Sequence, residues 1–251
     1  MMRSSKSWLL NVVLVATAAL NTGCATGPNA NPKDPLEPFN RSVFQFNDVL
    51  DENVLKPVAT GYRDYTPDPI QTGVGNFFRN LSDVLSTVNN GLQLKGRETA
   101  ESLMRVVVNT TLGIYGIFDV ATEIGLQRHP EDFGQTLGYW GTPNGPYLVL
   151  PILGPSTVRD ASVLPLEFSL DPVSNHDVVA ERNAAVVARI VDKRASLLKT
   201  TSLLSGAAID KYSFTRDGYL QFRRNQVYDG NPPDEEQLED PSAQPVAPSA
   251  K

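Results

Sequence analysis

The residue of this chain with the most readable chemistry is its single cysteine, Cys24. Residues 8–20 before it are mostly apolar, Arg3 and Lys6 precede that run, and two small residues stand directly before the thiol. A basic start, a short apolar stretch and small residues are the parts of a secretory signal. The apolar run has thirteen residues, which are too few to span a bilayer. We therefore predict that residues 1–23 are a lipoprotein signal peptide and that Cys24 carries a covalent lipid.

The residues around this cysteine bear on where such a protein would be sent. Asn21 stands where lipoprotein signals usually place Leu, and Ala25 follows the cysteine where the commonest inner-membrane retention signal has Asp. An outer-membrane destination is therefore predicted. The alternative is a soluble exported protein with a spare thiol, which an oxidising compartment disfavours because no second cysteine is present to pair with it.

Residue types that perform catalysis are otherwise sparse. The two histidines, His129 and His176, are far apart in sequence, and a zinc site would need carboxylates to complete it. Ser156 lacks the flanking glycines of a nucleophile elbow. For a hydrolase, Ser156, Asp160 and His176 would nevertheless be the only conceivable catalytic set. Arg159 and Asp160 form a candidate polar pair, for which a structural ion pair is the simpler interpretation. The sequence predicts a protein that is not an enzyme, with no metal and no cofactor apart from the covalent lipid.

Charge and composition divide the chain into parts. Removal of residues 1–23 takes away two of the 22 basic residues, which leaves 20 against 28 acidic ones and a formal charge of −8. An acidic chain without a basic stripe is repelled by phosphate backbones, so nucleic acid is an unsuitable partner. Residues 24–33 are interpreted as a lipidated tether, and residues 230–251, acidic and rich in proline, are predicted to be disordered. Residues 34–229 remain as one helical domain.

Apolar residues at helical spacing dominate that domain. Asp34, Pro35 and Glu37 resemble a capping box that opens a helix ending near Asn53. No segment shows a convincing strand alternation, so an all-α fold is predicted. The other predicted helices cover about residues 68–90, about residues 97–112, a long segment from residue 175 or 177, and about residues 213–227.

Residues 138–155 do not fit a small soluble bundle. Eight apolar or proline residues stand in a row at 146–153, and glycine and proline residues border them. Such a run is either a buried strand or core-crossing loop, or an apolar hairpin that dips into a membrane, where irregular backbone needs protein or a cavity around it. It is too short and too broken to span a bilayer. The predicted lipid anchor favours the membrane hairpin.

Several separate motifs, in order along the chain, resemble one known family. They are residues 34–41 (DPLEPFNR), 44–47 (FQFN), 63–65 (RDY), 109–113 (NTTLG), 133–138 (FGQTLG), 145–147 (GPY), 150–151 (LP) and 159–160 (RD). In these motifs the chain is similar to the MlaA (VacJ) lipoproteins, over about residues 34–230. The tether and the acidic tail lie outside the resemblance.

The resemblance implies an all-α, ring-like helical body that is embedded in the periplasmic leaflet of the Gram-negative outer membrane and encloses a central amphipathic channel. It implies removal of mislocalised phospholipids from the outer leaflet and their transfer to a periplasmic lipid-carrier protein, which maintains lipid asymmetry. It also implies association with a trimeric outer-membrane porin. Two other functions stay open: a structural lipoprotein that braces a porin, and a lipid hydrolase.

Candidate site residues follow from these interpretations. Aromatic and amide side chains on the first two predicted helices are candidates for contact with lipid or with the channel, and core packing is the competing role for each aromatic. Glycines and prolines around the apolar run are candidates for a hinge and hairpin that gate the channel. The lipid and channel candidates are Phe44, Phe46, Asn47, Phe77 and Phe78, and the hinge and hairpin candidates are Gly138, Gly141, Gly145, Pro146, Tyr147 and Pro151.

Overall fold

The structure, a computed structural model, describes residues 31–205 and 209–233. The predicted signal peptide, Cys24 and nearly all of the predicted tail lie outside the described residues. In chain order, the described elements are α1 (Glu37–Leu50), a π-helical turn (Asp51–Leu55), α2 (Lys56–Tyr65), α3 (Asp68–Leu92), α4 (Gly96–Thr111), α5 (Val120–Glu123), α6 (Phe133–Tyr139), β1 (Tyr147–Leu150), β2 (Gly154–Thr157), α7 (Val158–Leu170), α8 (Val179–Ser205) and α9 (Lys211–Val227).

The first helix begins at Glu37, three residues after the predicted cap at Asp34. Leu36 is the N-cap residue and makes no side-chain cap hydrogen bond. Asp34 is fully buried instead and accepts hydrogen bonds from Asn40 Nδ2 and Tyr212 Oη. The predicted capping box is therefore wrong, because tertiary partners take the carboxylate that a surface helix would use for its own N–H groups.

The helix does not end near Asn53 as predicted. A π-helical turn carries it into α2, which reaches Tyr65. Pro57 stands just after this turn, and because proline has no N–H to donate, the widened backbone ladder at this point accommodates it. α2 packs against α8 through a small buried apolar cluster that includes Ala59 and Ala195.

The helices predicted from strong periodicity are confirmed with small shifts at their ends. α3, α4 and α9 begin within two residues of their predicted starts, and α8 begins at Val179, shortly after the predicted 175 or 177. α6 and α7 were missed. Asp132 and Thr157 cap them, but α6 has only seven residues and α7 contains Pro165, so neither presents a clear apolar repeat.

Two short strands correct the all-α prediction. β1 and β2 form an antiparallel hairpin whose register runs from Tyr147 opposite Thr157 to Leu150 opposite Gly154. Alternate residues of β1, Tyr147 and Val149, are buried. The sequence hides this alternation because the intervening outward positions are also apolar. The apolar run therefore forms a hairpin with a partly buried strand, which packs between α1 and α9, and its entry into a membrane stays a prediction.

Candidate functional site

The two helices α3 and α4 pack against each other with polar faces inward. Apolar residues normally fill such an interface, and amide and charged groups are seldom fully buried unless they are paired. Here the order is reversed, so the interior is built from hydrogen-bonding groups. The buried polar residues of these two helices are Asn80, Asp83, Ser86, Asn89, Asn90, Ser102, Arg105 and Asn109.

The same helices and their connecting turns expose large apolar side chains. Leu94, Ile114 and Tyr115, in the turns that flank α4, and Ile152 at the hairpin tip are exposed with positive φ, a costly conformation for bulky residues. Within the described residues, no helix is both long enough and apolar enough to cross a membrane. Exposed apolar residues on the outer faces of α3 and α4 are Ile70, Val84, Val88, Leu92, Leu103, Met104 and Val107.

Arg105 is the centre of one buried ion network. Its guanidinium lies 2.9 Å from Asp119 and 3.4 Å from Asp83, and Arg128 reaches the same Asp83 at 2.6 Å. Burial alone would raise the pKa of Asp119, but hydrogen bonds from neighbours that include Thr122 and Arg105 lower it to about 2. The interior of the α3–α4 pair is therefore charged as well as polar.

A second buried network contains the predicted polar pair. Arg159 and Asp160 form an ion pair at 2.9 Å, which agrees with the simpler interpretation of this pair, and a role in a functional site stays a prediction. Arg223 of α9 bridges Asp160 at 2.8 Å and Asp132 at 2.6 Å, and Tyr219 donates to Asp160. Although burial opposes ionisation, hydrogen bonds from Arg223 lower the pKa of both carboxyl groups. The network joins α6, α7 and α9.

Gly138, one of the hinge candidates, lies inside α6 next to this network. A Cβ atom built on Gly138 would lie 2.6 Å from Arg159 Nη1, and one on Gly134 would lie 2.4 Å from Asp160 Oδ1. Both distances are shorter than real Cβ contacts, so the missing side chains give the ions their room. Gly138 therefore has a packing role in the structure.

The other hinge and hairpin candidates lie in the turn or strands around the apolar run. Gly141 and Gly145 have φ of +89° and +65°, which suits glycine. Pro146 O accepts from Val158 N beside the strands, and Pro151 begins the hairpin turn. Tyr147 is fully buried. A flexing role for these residues stays a prediction.

Two asparagines of α1 hold the hairpin by its free edge. Asn40 Nδ2 donates to Tyr147 O at 3.0 Å while Asn40 Oδ1 accepts from Val149 N at 2.9 Å. Seven residues later, Asn47 Nδ2 donates to Leu150 O at 2.9 Å and its Oδ1 accepts from Ile152 N at 2.7 Å. Each amide thus pairs with the strand backbone as a neighbouring strand would. Asn47, a lipid or channel candidate, contacts backbone here.

The four phenylalanine candidates occupy different surroundings. Phe44 is partly buried and packs edge-on against Tyr212, whereas Phe46 is exposed. Phe77 and Phe78 contact each other edge-on and line an apolar groove of about 800 Å³ beside α3. The structure thus places Phe44 in the core. Lipid contact by the other three stays a prediction.

A polar cleft of about 400 Å³ lies where the C-terminal ends of α3 and α9 meet the start of α4. Lys95, nearly buried, reaches Glu131 at 2.9 Å and Asp229 at 2.6 Å there. Burial disfavours the ammonium form, but the hydrogen bonds that Lys95 donates to Asp229 and Glu131 raise its pKa. His129, on the rim, pairs with Glu101 at 2.7 Å.

The three residues of the conceivable hydrolytic set have other partners. Ser156 Oγ donates to Thr157 O, Asp160 is held by arginines, and the exposed His176 pairs with Glu181 at 2.7 Å. The structure does not join them in one hydrogen-bonded set. Within residues 31–205 and 209–233, no group of three or more potential ligands is placed to hold a metal ion.

Sequence reasoning missed the residues that build the polar interior. Arg105 and Arg223 were not singled out, and the signal that could have revealed them is a polar repeat on apolar helices. On α3, the residues at 80, 83, 86 and 90 are polar at helical spacing and buried, while those at 70, 84, 88 and 92 are apolar and exposed. Such a stripe shows that the helix has a polar and an apolar face, and the tertiary structure shows that the polar face is the buried one here.

Comparisons with known proteins bear directly on this arrangement. The profile of the MlaA lipoprotein family matches residues 32–226 of the chain. The chain belongs to the MlaA lipoprotein family. A solved structure described as the structural basis for maintenance of bacterial outer membrane lipid asymmetry contains a chain of the same fold, with a TM-score of 0.68 and 36% sequence identity. The match covers 77% of the present chain and 98% of that one.

Curated relatives of this MlaA family member fall into two groups. The intermembrane phospholipid transport system lipoprotein MlaA of Escherichia coli is 35% identical over 84% of the chain and 86% of the relative. The protein of the same name from Haemophilus influenzae is 30% identical over 90% and 92%. An uncharacterized protein of Rickettsia typhi is 50% identical, but the match spans only about half of each chain, 51%.

Proposed function

We propose that this protein is an outer-membrane lipoprotein that removes mislocalised phospholipids from the outer leaflet and passes them to a periplasmic carrier. Membership of the MlaA family supports this proposal, as do relatives that are named for intermembrane phospholipid transport. The related solved structure concerns outer membrane lipid asymmetry, which is the property that such removal maintains.

The observation that carries the proposal is the reversed placement of polar and apolar side chains. A phospholipid that changes leaflets must move its charged headgroup through hydrocarbon, where an unpaired charge is very costly. Buried networks around Arg105 and Arg223 offer paired charges and hydrogen-bonding groups inside the protein. The exposed apolar faces of α3 and α4 suit a lipid surrounding rather than water. Both features are what a headgroup path through a bilayer requires.

The finer proposal is a ring-like body in the periplasmic leaflet with a central amphipathic channel. The hairpin of β1 and β2 would enter the membrane, and its exposed tip residues Ile152 and Leu153 support this. Gly141 and Gly145, both at positive φ, would let the neighbouring turn flex and gate the channel. Replacement of either by alanine, which restricts the backbone without a branched side chain, should change lipid flux while circular dichroism shows a folded protein; unchanged flux would contradict the gating role.

Anchoring and partners complete the proposal. A lipid on Cys24 would attach the protein to the membrane together with the apolar surface, since stable attachment usually takes two signals. The partners would be phospholipid, a periplasmic lipid carrier and a trimeric porin. No ATP site is needed if the lipid moves downhill to the carrier, and no covalent reaction is required.

Two other functions give different results in the same experiments. A structural lipoprotein that braces a porin would leave lipid asymmetry unchanged when its gene is lost. A hydrolase would generate lysophospholipid when the pure protein is incubated with lipid.

The first experiment is the phospholipid content of the outer leaflet in cells that lack the gene, carry it intact, or carry Cys24→Ala. We expect phospholipid to accumulate on deletion, to return to normal with the intact gene, and to be corrected poorly by the variant without its anchor. An unchanged leaflet on deletion would contradict the proposal and favour the structural alternative.

A further inference from the structure

Two apolar grooves lie side by side where α3 packs against α8. The larger has a volume of about 800 Å³ and the smaller about 530 Å³. Both are lined by Val74 of α3 and Ala188 of α8, so one thin wall separates them. Their volumes fall within the roughly 300–1,000 Å³ of sites for small ligands.

A glycine lets Ile117 pack closely against α3 in the lining of the larger groove. A Cβ atom on Gly73 would lie 3.0 Å from Ile117 Cγ2, closer than most real Cβ contacts. The rings of Phe77 and Phe118 form further parts of the lining, and Ile70 and Phe118 are exposed at its edge. The groove is therefore apolar throughout most of its length and open to the outer surface of the protein.

The smaller groove lies on the other side of the same wall. Val187 and Val191 of α8 face Tyr62 of α2 across it. Val187 is exposed, so this groove also opens outward. The two apolar grooves therefore lie next to each other on one face of the molecule.

A polar cluster stands beside the wall between the grooves. Tyr62 Oη, at the smaller groove, donates to Asp192 Oδ1 at 3.1 Å, and Arg79 Nη2 donates to Asn76, at the larger groove. Asp192 and Arg79 also attract each other, and both lie next to Gly75. Arg79 is exposed, and Nη2 is the only nitrogen of its guanidinium with a hydrogen-bond acceptor among the described residues. Its other N–H groups can therefore donate hydrogen bonds to a bound anion.

We propose that the two grooves hold the two acyl chains of one diacyl phospholipid, with its phosphate at Arg79. The inference rests on the proposed function and assigns a place to the lipid. A ligand with two apolar chains joined at one anionic group matches two grooves that share a wall and have the exposed Arg79 beside that wall. A fatty acid has one chain and would leave one groove empty. A protein segment would not by itself require an anion at Arg79.

The test is lipid binding by the purified full-length protein in a non-ionic detergent, after removal of bound lipid. Native mass spectrometry then follows titration with dioleoylphosphatidylglycerol, its lyso form and oleic acid. We expect one diacyl lipid per protein, and binding about tenfold weaker or more for the lyso lipid and for oleic acid.

Variants separate the parts of the site. Ala188→Trp places a ring in both grooves from an exposed position, and we expect it to weaken diacyl binding by about tenfold or more. Ile190→Trp, on the same helix but outside the lining, should bind as the wild type does. Arg79→Ala should weaken binding about tenfold, whereas Asp192→Asn should strengthen it, because a competing anion is removed. Circular dichroism verifies that each variant is folded.

Four results would overturn the inference. They are wild-type binding by Ala188→Trp, wild-type binding by Arg79→Ala, equal binding of the lyso lipid, and equal binding of oleic acid. If Ala188→Trp also lost porin association while it bound lipid as the wild type does, this face would be a protein-docking surface. Because binding is measured without transport, failure of the site with normal outer-leaflet lipid in cells would leave the proposed function standing.

Discussion

Arg223, itself buried, pairs with the buried Asp160 and with the partly exposed Asp132, and thereby ties α9 to α6 and α7. Its removal would leave Asp160 buried with Arg159 alone and Asp132 without its arginine. For Arg223→Met we expect a loss of about 3–5 kcal/mol in the free energy of unfolding, which is usual when one member of a buried ion pair is removed. Urea unfolding followed by circular dichroism measures it. Arg63→Met is the control, because the Arg63–Asp64 pair is exposed.

If both variants lost the same free energy of unfolding, the buried network would contribute no more to stability than an exposed ion pair does. Such a result would mean that Asp132 and Asp160 are satisfied by other groups or are protonated when the arginine is absent.

The pKa of the Glu167 carboxyl group is raised, whereas the pKa values of Asp132 and Asp160 are lowered. Burial, helped by the nearby charge of Asp132, raises its pKa from 4.5 to about 7, while Phe133 N donates to it. The folded state therefore holds this proton more tightly than the unfolded chain does. The free energy of unfolding should accordingly fall as the pH rises from about 4.5 to about 7 and then level off, as far as this group contributes.

Glu167→Gln removes that pH dependence but keeps an oxygen for the hydrogen bond from Phe133 N. We expect this variant to be more stable than the wild type at pH 8 and similar to it at pH 4.5. Thermal unfolding across this range is the measurement, and Glu123→Gln, on an exposed position, is the control. An identical pH profile for Glu167→Gln and the wild type would contradict the raised pKa.

At the scale of elements, α1 and the β-hairpin behave as one unit. Side-chain amides at Asn40 and Asn47 complete the open edge of β1, an edge that would otherwise be free to pair with another chain. Tyr147 N also donates to Lys33 O at 2.9 Å, so the segment that leads from the predicted anchor contacts the same strand. Movement of the hairpin therefore requires several backbone hydrogen bonds to break together.

Asn47→Ala removes the two hydrogen bonds nearest the hairpin tip and leaves Asn40 in place. We expect a loss of about 1–3 kcal/mol and faster amide exchange at Ile152, since each net hydrogen bond contributes about 1 kcal/mol. Hydrogen exchange with mass spectrometry reports both effects. Asn53→Ala, which removes only an exposed bond to Val49 O within the helix, should leave exchange in the hairpin unchanged; equal protection in both variants would show that the amides do not hold the strand.

For the whole molecule, the distribution of side chains decides how it meets its surroundings. Charged and amide groups form much of its interior, beside two small apolar clusters, while aliphatic and aromatic groups occupy much of the outside. Such a surface is unfavourable in water at about 25 cal/mol per Å² of exposed apolar area. We therefore expect the body to enter a lipid surface even without a covalent anchor.

Flotation with liposomes tests this expectation on the Cys24→Ala protein, which we expect to float. Adding Ile114→Asp and Ile152→Asp should abolish flotation without unfolding, because aspartate tolerates the positive φ of both positions better than isoleucine does. Ser42→Asp with Gln45→Asp adds the same charge at exposed polar positions and should still float. Flotation of the isoleucine double variant would show that these turns do not contact lipid.

Sequence patterns predicted the long helices of the fold better than they predicted which residues form its interior. α3 and α4 follow from apolar spacing and clear ends, and the Arg159–Asp160 pair follows from its place in a motif. The capping box at Asp34 was wrong, since a carboxylate near a helix start can serve a distant tyrosine as well as the helix itself. The strands were not seen because both faces of β1 are apolar and β2 is only four residues long.

The sequence by itself determined the helical class, the long helices, the apolar run and the resemblance to a family, since these depend on local spacing and on short motifs. Only the tertiary structure decided which helix faces are inside. Periodicity shows that a helix has two faces, but it does not show whether water or lipid lies outside. That choice depends on long-range partners, such as Arg223 with Asp132 and Asp160, which lie 91 and 63 residues from it in sequence and meet only when the chain folds.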